Sequence, residues 1–179
     1  MEVKPTSALY QLRWVTRVLA VVILALVAIG MLLPSQYYIE RSIFINTSPS
    51  RMSLYLNDLS VWSRWMHLPN EGVFVTEPAF LLDEKQSLRI KNLDAEDGRL
   101  DVLSFGDEEI IFSVIPKKGI LPVTNRLGWY REGQGVRVVW SVNGELSAGL
   151  IGPYIALFAN DIAGSNLEAS LDTLKEALQ

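Results

Sequence analysis

The chain has 179 residues, 49% of them hydrophobic and 20% charged, with a formal net charge of -4 and a mean hydropathy of +0.21. It contains no cysteine, which excludes disulfides, thiolate nucleophiles and cysteine-based zinc sites. The acidic balance, without a cluster of Lys or Arg, argues against a nucleic-acid partner.

The stretch Val18–Leu33 reads V-L-A-V-V-I-L-A-L-V-A-I-G-M-L-L, without a charge. As a helix it spans about 24 Å, or about 30 Å from Trp14, close to the hydrocarbon thickness of a bilayer. Arg17 then lies one turn inside the end and snorkels to the headgroups. The pattern predicts a short cytoplasmic segment over 1–17, a transmembrane helix over 18–33 and a linker over 34–36. Residues 37–179 follow as one domain of roughly 140 residues, enough for a real core. Lys4, Arg13 and Arg17 precede the apolar run against Glu2 alone, which keeps the leading segment cytoplasmic. The domain is therefore expected outside the cytoplasmic membrane, in the periplasm of a Gram-negative cell. Tyr37 and Tyr38 suit the membrane interface. The rival reading is a signal peptide cleaved after Ala28-Ile29-Gly30, before Met31. The apolar run is long for a signal and continues past that point, which favours an uncleaved single-pass anchor.

Residues 37–45 are rich in β-branched and aromatic side chains and predict a strand. In Asn46-Thr47-Ser48-Pro49, Ser48 suits an N-cap and Pro49 a first helical position. The capping role also accounts for the Asn46-Thr47-Ser48 glycosylation sequon. From Ser50 to about His67 the pattern predicts a helix broken in two near Leu59-Ser60, with Met52, Leu54, Leu56, Leu59, Trp62, Trp65 and Met66 available to an inward face. Strands are expected near 72–77, 87–93, 99–105, 109–116, 121–131 and 136–142. Asp97-Gly98, Gly106-Asp107, Lys118-Gly119, Gly133-Gln134-Gly135 and Asn143-Gly144 punctuate or close them as turns. Region 78–86 has no clear pattern. Connections this short imply an antiparallel meander, because a parallel crossover needs a dozen or more residues. In the last strand Val136, Val138, Trp140 and Val142 alternate with Arg137, Val139 and Ser141, so one face is buried.

A long helix from about Pro153 to Leu178 closes the chain. Leu167, Leu171, Leu174 and Leu178 form one stripe, which continues towards the N-terminus as Ala163, Asn160 and Ala156. One face is thus bulky in its second half and small in its first. Small residues leave a gap over the sheet, as a binding cavity requires, or allow close packing; spacing does not separate the two.

Strand, two short helices, six-strand meander and long C-terminal helix together resemble the helix-grip fold of the START-like (SRPBCC) superfamily, an α+β class. Within it the chain is similar to the membrane-anchored polyketide cyclase/dehydrase and lipid transport group. The matching residues are Ile43-Phe44-Ile45-Asn46 with Ser48-Pro49, and Tyr55-Leu56-Asn57-Asp58-Leu59 with Trp62 and Trp65. Val139-Trp140 and Leu171-Asp172-Thr173-Leu174-Lys175 match as well. The likeness covers about residues 37–179 and departs in the middle. Met66-His67-Leu68-Pro69 stands where the group often has a Pro-Trp pair, and its Gly-rich Trp strand is not found around 84–92. The resemblance implies a cavity between curved sheet and long helix that holds an apolar or amphipathic molecule. It does not imply catalysis.

No catalytic constellation, metal cluster or cofactor motif is expected. His67 is the single histidine; with no patterned carboxylate partner it reads as a loop-edge residue near the cavity rather than a general acid or base. Asp58 reads as a helix terminator or surface charge. Trp62 and Trp65, three apart, share a helix face and serve either core packing or the pocket. Asp94, Glu96 and Asp97 resemble a calcium loop only in acidity. Gly133-x-Gly135 lacks a third glycine, and Ser147-Ala148-Gly149 lacks the leading glycine of a nucleophile elbow. Arg89, Asn125, Arg126 and Asn160 are the polar residues that face assignment leaves open. The expected cavity lining is Trp62, Trp65, Trp140, Ala156, Asn160 and Ala163. The expected function is a membrane-tethered binding or carrier module for a lipid-like molecule. The alternatives are a cyclase-type enzyme acting in the same cavity, and a ligand-free envelope interaction domain.

Overall fold

The computed structural model describes residues 6–68, 73–75, 87–91, 96–116, 120–146 and 149–179; of 6–9, 73–75, 150 and 157–162 it describes the backbone alone. The expected segment 78–86 and the residues Asp94, Ser147 and Ala148 lie outside the described residues.

Helix α1 (Thr6–Leu32) is a single 27-residue helix. Within its span Tyr10–Leu32 the most apolar 18 residues have a mean hydropathy of 2.6, and nearly all their side chains are uncovered, including Leu19, Val21, Leu24 and Met31. That is one helix long and apolar enough to cross a membrane. It starts earlier than the expected 18–33, because nothing in Tyr10–Arg17 breaks a helix. Leu33 lies just past its end.

After three residues the chain enters strand β1 (Gln36–Ile45). Helix α2 (Pro49–Leu56) follows, with the Ser48 hydroxyl accepting from the Arg51 N–H at 3.2 Å and Pro49 in its first turn. Ser48→Ala removes this cap and is expected to cost about 1 kcal/mol, read as a lower melting temperature. The helix breaks earlier than expected, at Asn57-Asp58 rather than Leu59-Ser60. Asp58 accepts from the Ser60 N–H at 2.9 Å and from its hydroxyl at 2.6 Å, starting a 3-10 turn at Leu59–Val61. These bonds, the hydroxyl first, hold the Asp58 carboxyl below its usual range. Helix α3 (Trp62–Trp65) is one turn long.

The strands are β2 (Val73–Val75), β3 (Ser87–Lys91), β4 (Gly98–Phe105), β5 (Glu109–Ile115), β6 (Val123–Glu132) and β7 (Gly135–Glu145). They form one seven-stranded sheet in the order β1-β7-β6-β5-β4-β3-β2, antiparallel throughout. Gly133 takes a left-handed φ of 58° in the β6–β7 turn, a conformation glycine adopts without strain.

Gly98 and Gly144, expected in turns, lie in strands instead, and Gly135 opens β7. Gly98 opens β4 opposite Ile90, and a side chain there would collide with the backbone of Ile115 and Pro116. Gly144 continues β7 opposite Tyr37, whose ring occupies the space a Cβ would need. Neither is a turn signal; each gives room to a neighbour.

A 3-10 turn (Gly149–Ile151) leads into helix α4 (Gly152–Leu178), which lies across the sheet against β1 and α3. The leucine stripe is buried as its spacing predicts, with Leu167, Leu171, Leu174 and Leu178 in the core. Ser170, fully buried on the same helix, accepts from the His67 N–H at 2.9 Å and donates to the Asn166 carbonyl at 2.6 Å, tying the end of α3 to α4. On the other flank Arg41 of β1 reaches Glu168 at 2.5 Å, its guanidinium lying over Gly164.

Candidate ligand-binding site

A cavity of about 290 Å³ lies between the sheet and the first half of α4. The sheet contributes Tyr37 of β1, Ile90 of β3, Val114 of β5, Val123 and Asn125 of β6, and Trp140 and Val142 of β7. Helix α4 contributes Ile155, Ala163, Asn166 and Leu167, and the segment after α3 contributes Met66, His67 and Leu68. Pro116 and Leu146 complete the described lining. The volume is at the lower end of what small-molecule pockets occupy, roughly 300 Å³.

Strand register explains where the cavity sits. Tyr37 pairs with Gly144, Asn125 with Val142, and Val114 with Val123. These residues cluster at one end of the sheet, the end where β1 emerges from α1. At the other end Ile45, Val136, Trp129 and Ile110 are buried in a solid core with Met52 and Leu56 of α2. The bulky half of α4 covers that core and the small half covers the cavity.

Among the expected lining residues, Trp140 and Ala163 reach the cavity wall. Ala156 is half-buried on α4 but is not part of the described lining. Asn160 lies in α4, and its side chain is outside those described. Trp62 and Trp65 are fully buried in the core and are not part of the described lining. Trp65 packs edge-on against Trp140 at 5.8 Å between ring centres, and Trp62 meets Phe112 edge-on at 5.0 Å.

Asn125 is the buried polar side chain on the sheet wall. Its Oδ1 accepts from Trp140 Nε1 at 3.0 Å and its Nδ2 donates to the Val123 carbonyl at 3.0 Å. One amide hydrogen and one lone pair remain beyond these two bonds. Asn125→Ala leaves the Trp140 N–H without its acceptor, and is expected to cost about 1–3 kcal/mol in a denaturant melt. Of the other polar candidates, Arg89 and Arg126 point elsewhere. Arg89 is exposed, and Arg126 pairs with Glu109 at 3.1 Å on the outer face.

Two titratable side chains line the cavity among the described residues. His67 shares a hydrogen bond of 2.9 Å between its Nε2 and the Thr173 hydroxyl. Burial pushes the Tyr37 hydroxyl above its ordinary value, so it stays protonated. Sequence reasoning placed Tyr37 at the membrane interface and did not assign it to the cavity. Its signal was Gly144 directly opposite, visible only once the register is known. Asn166 was missed as well, having no spacing signal, and Val142 was placed on the buried strand face but not in the cavity.

No protein-family model matches the chain, and no curated protein matches it in sequence. Solved structures do match. The di-domain ARO/CYC StfQ from the steffimycin biosynthetic pathway superposes with a TM-score of 0.58 and 12% identity, covering 80% of this chain and 51% of StfQ. The chain thus spans about half of StfQ. TTHA0849 from Thermus thermophilus matches with a TM-score of 0.59 and 19% identity, over 79% of this chain and 96% of its own. A START superfamily protein from Mycobacterium smegmatis matches with a TM-score of 0.57 and 12% identity, over 79% of this chain and 97% of its own. The fold is therefore START-like (SRPBCC): an α+β helix-grip arrangement, here preceded by an apolar helix.

Proposed function

We propose that the chain is a membrane-tethered binding or carrier module for an apolar or amphipathic, lipid-like molecule held between the sheet and α4. The observation that carries this reading is the cavity itself. It is walled by Ile90, Val114, Val123, Trp140, Val142, Ile155 and Leu167, and no Asp, Glu, Lys or Arg lines it among the described residues. Such a wall favours an apolar body, and burying an unpaired charge there would be costly. Asn125, Asn166 and the Tyr37 hydroxyl supply neutral polar contacts for a head group.

Binding is favoured over cyclisation chemistry by the mostly apolar wall, in which titratable groups are few. A cyclase needs a group that moves a proton in the cavity. The candidates among the described lining are Tyr37 and His67, and no carboxylate lines the cavity there to pair with either.

The tether is α1. Basic residues before it favour a cytoplasmic N-terminus and an extracytoplasmic domain. A reporter fused after Gln179 that works only in the cytoplasm would reverse this orientation. An uncleaved anchor keeps the protein in the membrane fraction through high-salt and carbonate washes; a mature chain beginning at Met31 would establish the cleaved alternative.

The deciding experiment is native mass spectrometry of the gently purified full chain. A lipid-sized adduct, released on collisional activation, supports the carrier reading. A bare protein mass, together with no uptake of an apolar fluorescent probe, overturns it.

A further inference from the structure

We propose that residues 149–155, the 3-10 turn and first turn of α4, dock on the lipid bilayer beside α1, so that the cavity opens against the membrane rather than into bulk water. The inference rests on reading α1 as the membrane anchor.

The first observation is depth. The Tyr154 hydroxyl donates to the Leu26 carbonyl of α1, and the 3-10 turn packs on the same helix. Gly30 is buried, and Val27 and Leu33 are half-buried, where the rest of α1 is bare. Leu26 lies six residues before the helix end, about 9 Å back along the axis. The segment therefore lies alongside the last turns of the anchor, not beyond them. A span from Tyr10 to Leu32 is about 34 Å long, against about 30 Å of hydrocarbon. Centred on the bilayer, the span overhangs by about 2 Å at each end, so the contact with Leu26 falls about 7 Å inside the hydrocarbon edge, a depth at which interfacial segments bury their apolar face.

The second observation is composition. From Leu146 to Asn160 the sequence carries no charged residue. Ile151 is 64% exposed and Ile155 is 40% exposed. Bare isoleucines in an uncharged segment are costly in water and suited to a membrane interface.

The third observation is position. Ile155 both lines the cavity and reaches the surface. Leu146 and Tyr37, at the end of β7 and the start of β1, line it from the same end of the sheet. Three residues separate the end of α1 from β1, so the tether is too short to swing this end far from the bilayer. Anchor, exposed isoleucines and cavity rim share one edge of the molecule. A ligand can then pass between bilayer and cavity without crossing bulk water.

The absence of cysteine allows a clean depth measurement. Full-length Ile151→Cys and Leu54→Cys are each labelled with an environment-sensitive fluorophore and reconstituted into phosphatidylcholine vesicles. Leu54 is 76% exposed on α2, beside the last turn of α4 and away from the cavity. The label at 151 is expected to emit to the blue of the label at 54. It should also lose intensity when the vesicles contain lipid with a nitroxide on the upper acyl chain, while the label at 54 does neither. Water-like, unquenched emission at 151 overturns the proposal. So does a blue shift without quenching, which reports burial against α1 rather than contact with lipid. Ile155→Cys reads the same depth one turn on, should the label at 151 disturb the fold. Neither readout needs a bound ligand. Quenching at 151 with no lipid adduct in the mass spectrum removes the carrier function and leaves the docking; an adduct with a water-like label does the reverse.

Discussion

Ala163→Trp is expected to abolish uptake of an apolar fluorescent probe while the melting temperature of the full chain holds or rises. Ala163 stands on the cavity wall, in the half of α4 where small side chains leave space over the sheet. An indole placed there occupies the volume a ligand would take and adds apolar burial of its own. In a solid core the same insertion would force neighbours off their rotamers and cost roughly 1–3 kcal/mol. Stability and binding therefore move in opposite directions only if the space is real. Ala156→Phe, two turns nearer the helix start and outside the described lining, is expected to affect uptake less. Leu171→Ala is the control: it lies in the filled half of the helix and should cost roughly 2–5 kcal/mol without acting on the cavity first. Loss of folding in Ala163→Trp, or absence of probe uptake in the parent chain, would sink the prediction.

Features legible in the sequence were those that depend on neighbours along the chain. Alternation of Val136, Val138, Trp140 and Val142 marks one buried strand face, and the leucine spacing marks one buried helix face. Ser48-Pro49 announces a helix start through a cap that reaches only three residues. The cavity depends on residues brought together across the sheet. Gly144 looked like a turn because its partner Tyr37 lies more than a hundred positions away, and only register shows that it makes room for a ring. Asn125 stayed one of four polar candidates until the pairing of β6 with β7 set Trp140 beside it. Periodicity placed Trp62 and Trp65 on an inward face. It carries no information on how that face divides between solid core and opening, and both rings are fully buried in the core.

The same tryptophans give the largest expected loss of stability and a way to separate two roles. Trp62→Ala should cost roughly 3–5 kcal/mol, a large share of the 5–15 kcal/mol that holds a typical domain folded. Trp62 is fully buried, packs edge-on to Phe112, and donates its Nε1 hydrogen to the Leu56 carbonyl at 2.8 Å. That bond ties α3 to the last residue of α2 across the intervening 3-10 turn. Trp62→Phe keeps an aromatic ring but leaves the Leu56 carbonyl without that donor, a penalty of about 1–3 kcal/mol beyond the lost area. Trp65 differs in one respect. Its Nε1 is equally buried and finds no acceptor among the described residues. Trp65→Phe removes a donor already without a partner, so only packing is lost, and it should be the milder of the two phenylalanine substitutions. Urea melts of the two variants give the comparison directly. Equal losses would mean that the Trp62 bond adds nothing to ring packing. A larger loss at Trp65 would place a hydrogen-bond acceptor, from protein or ligand, at its indole nitrogen.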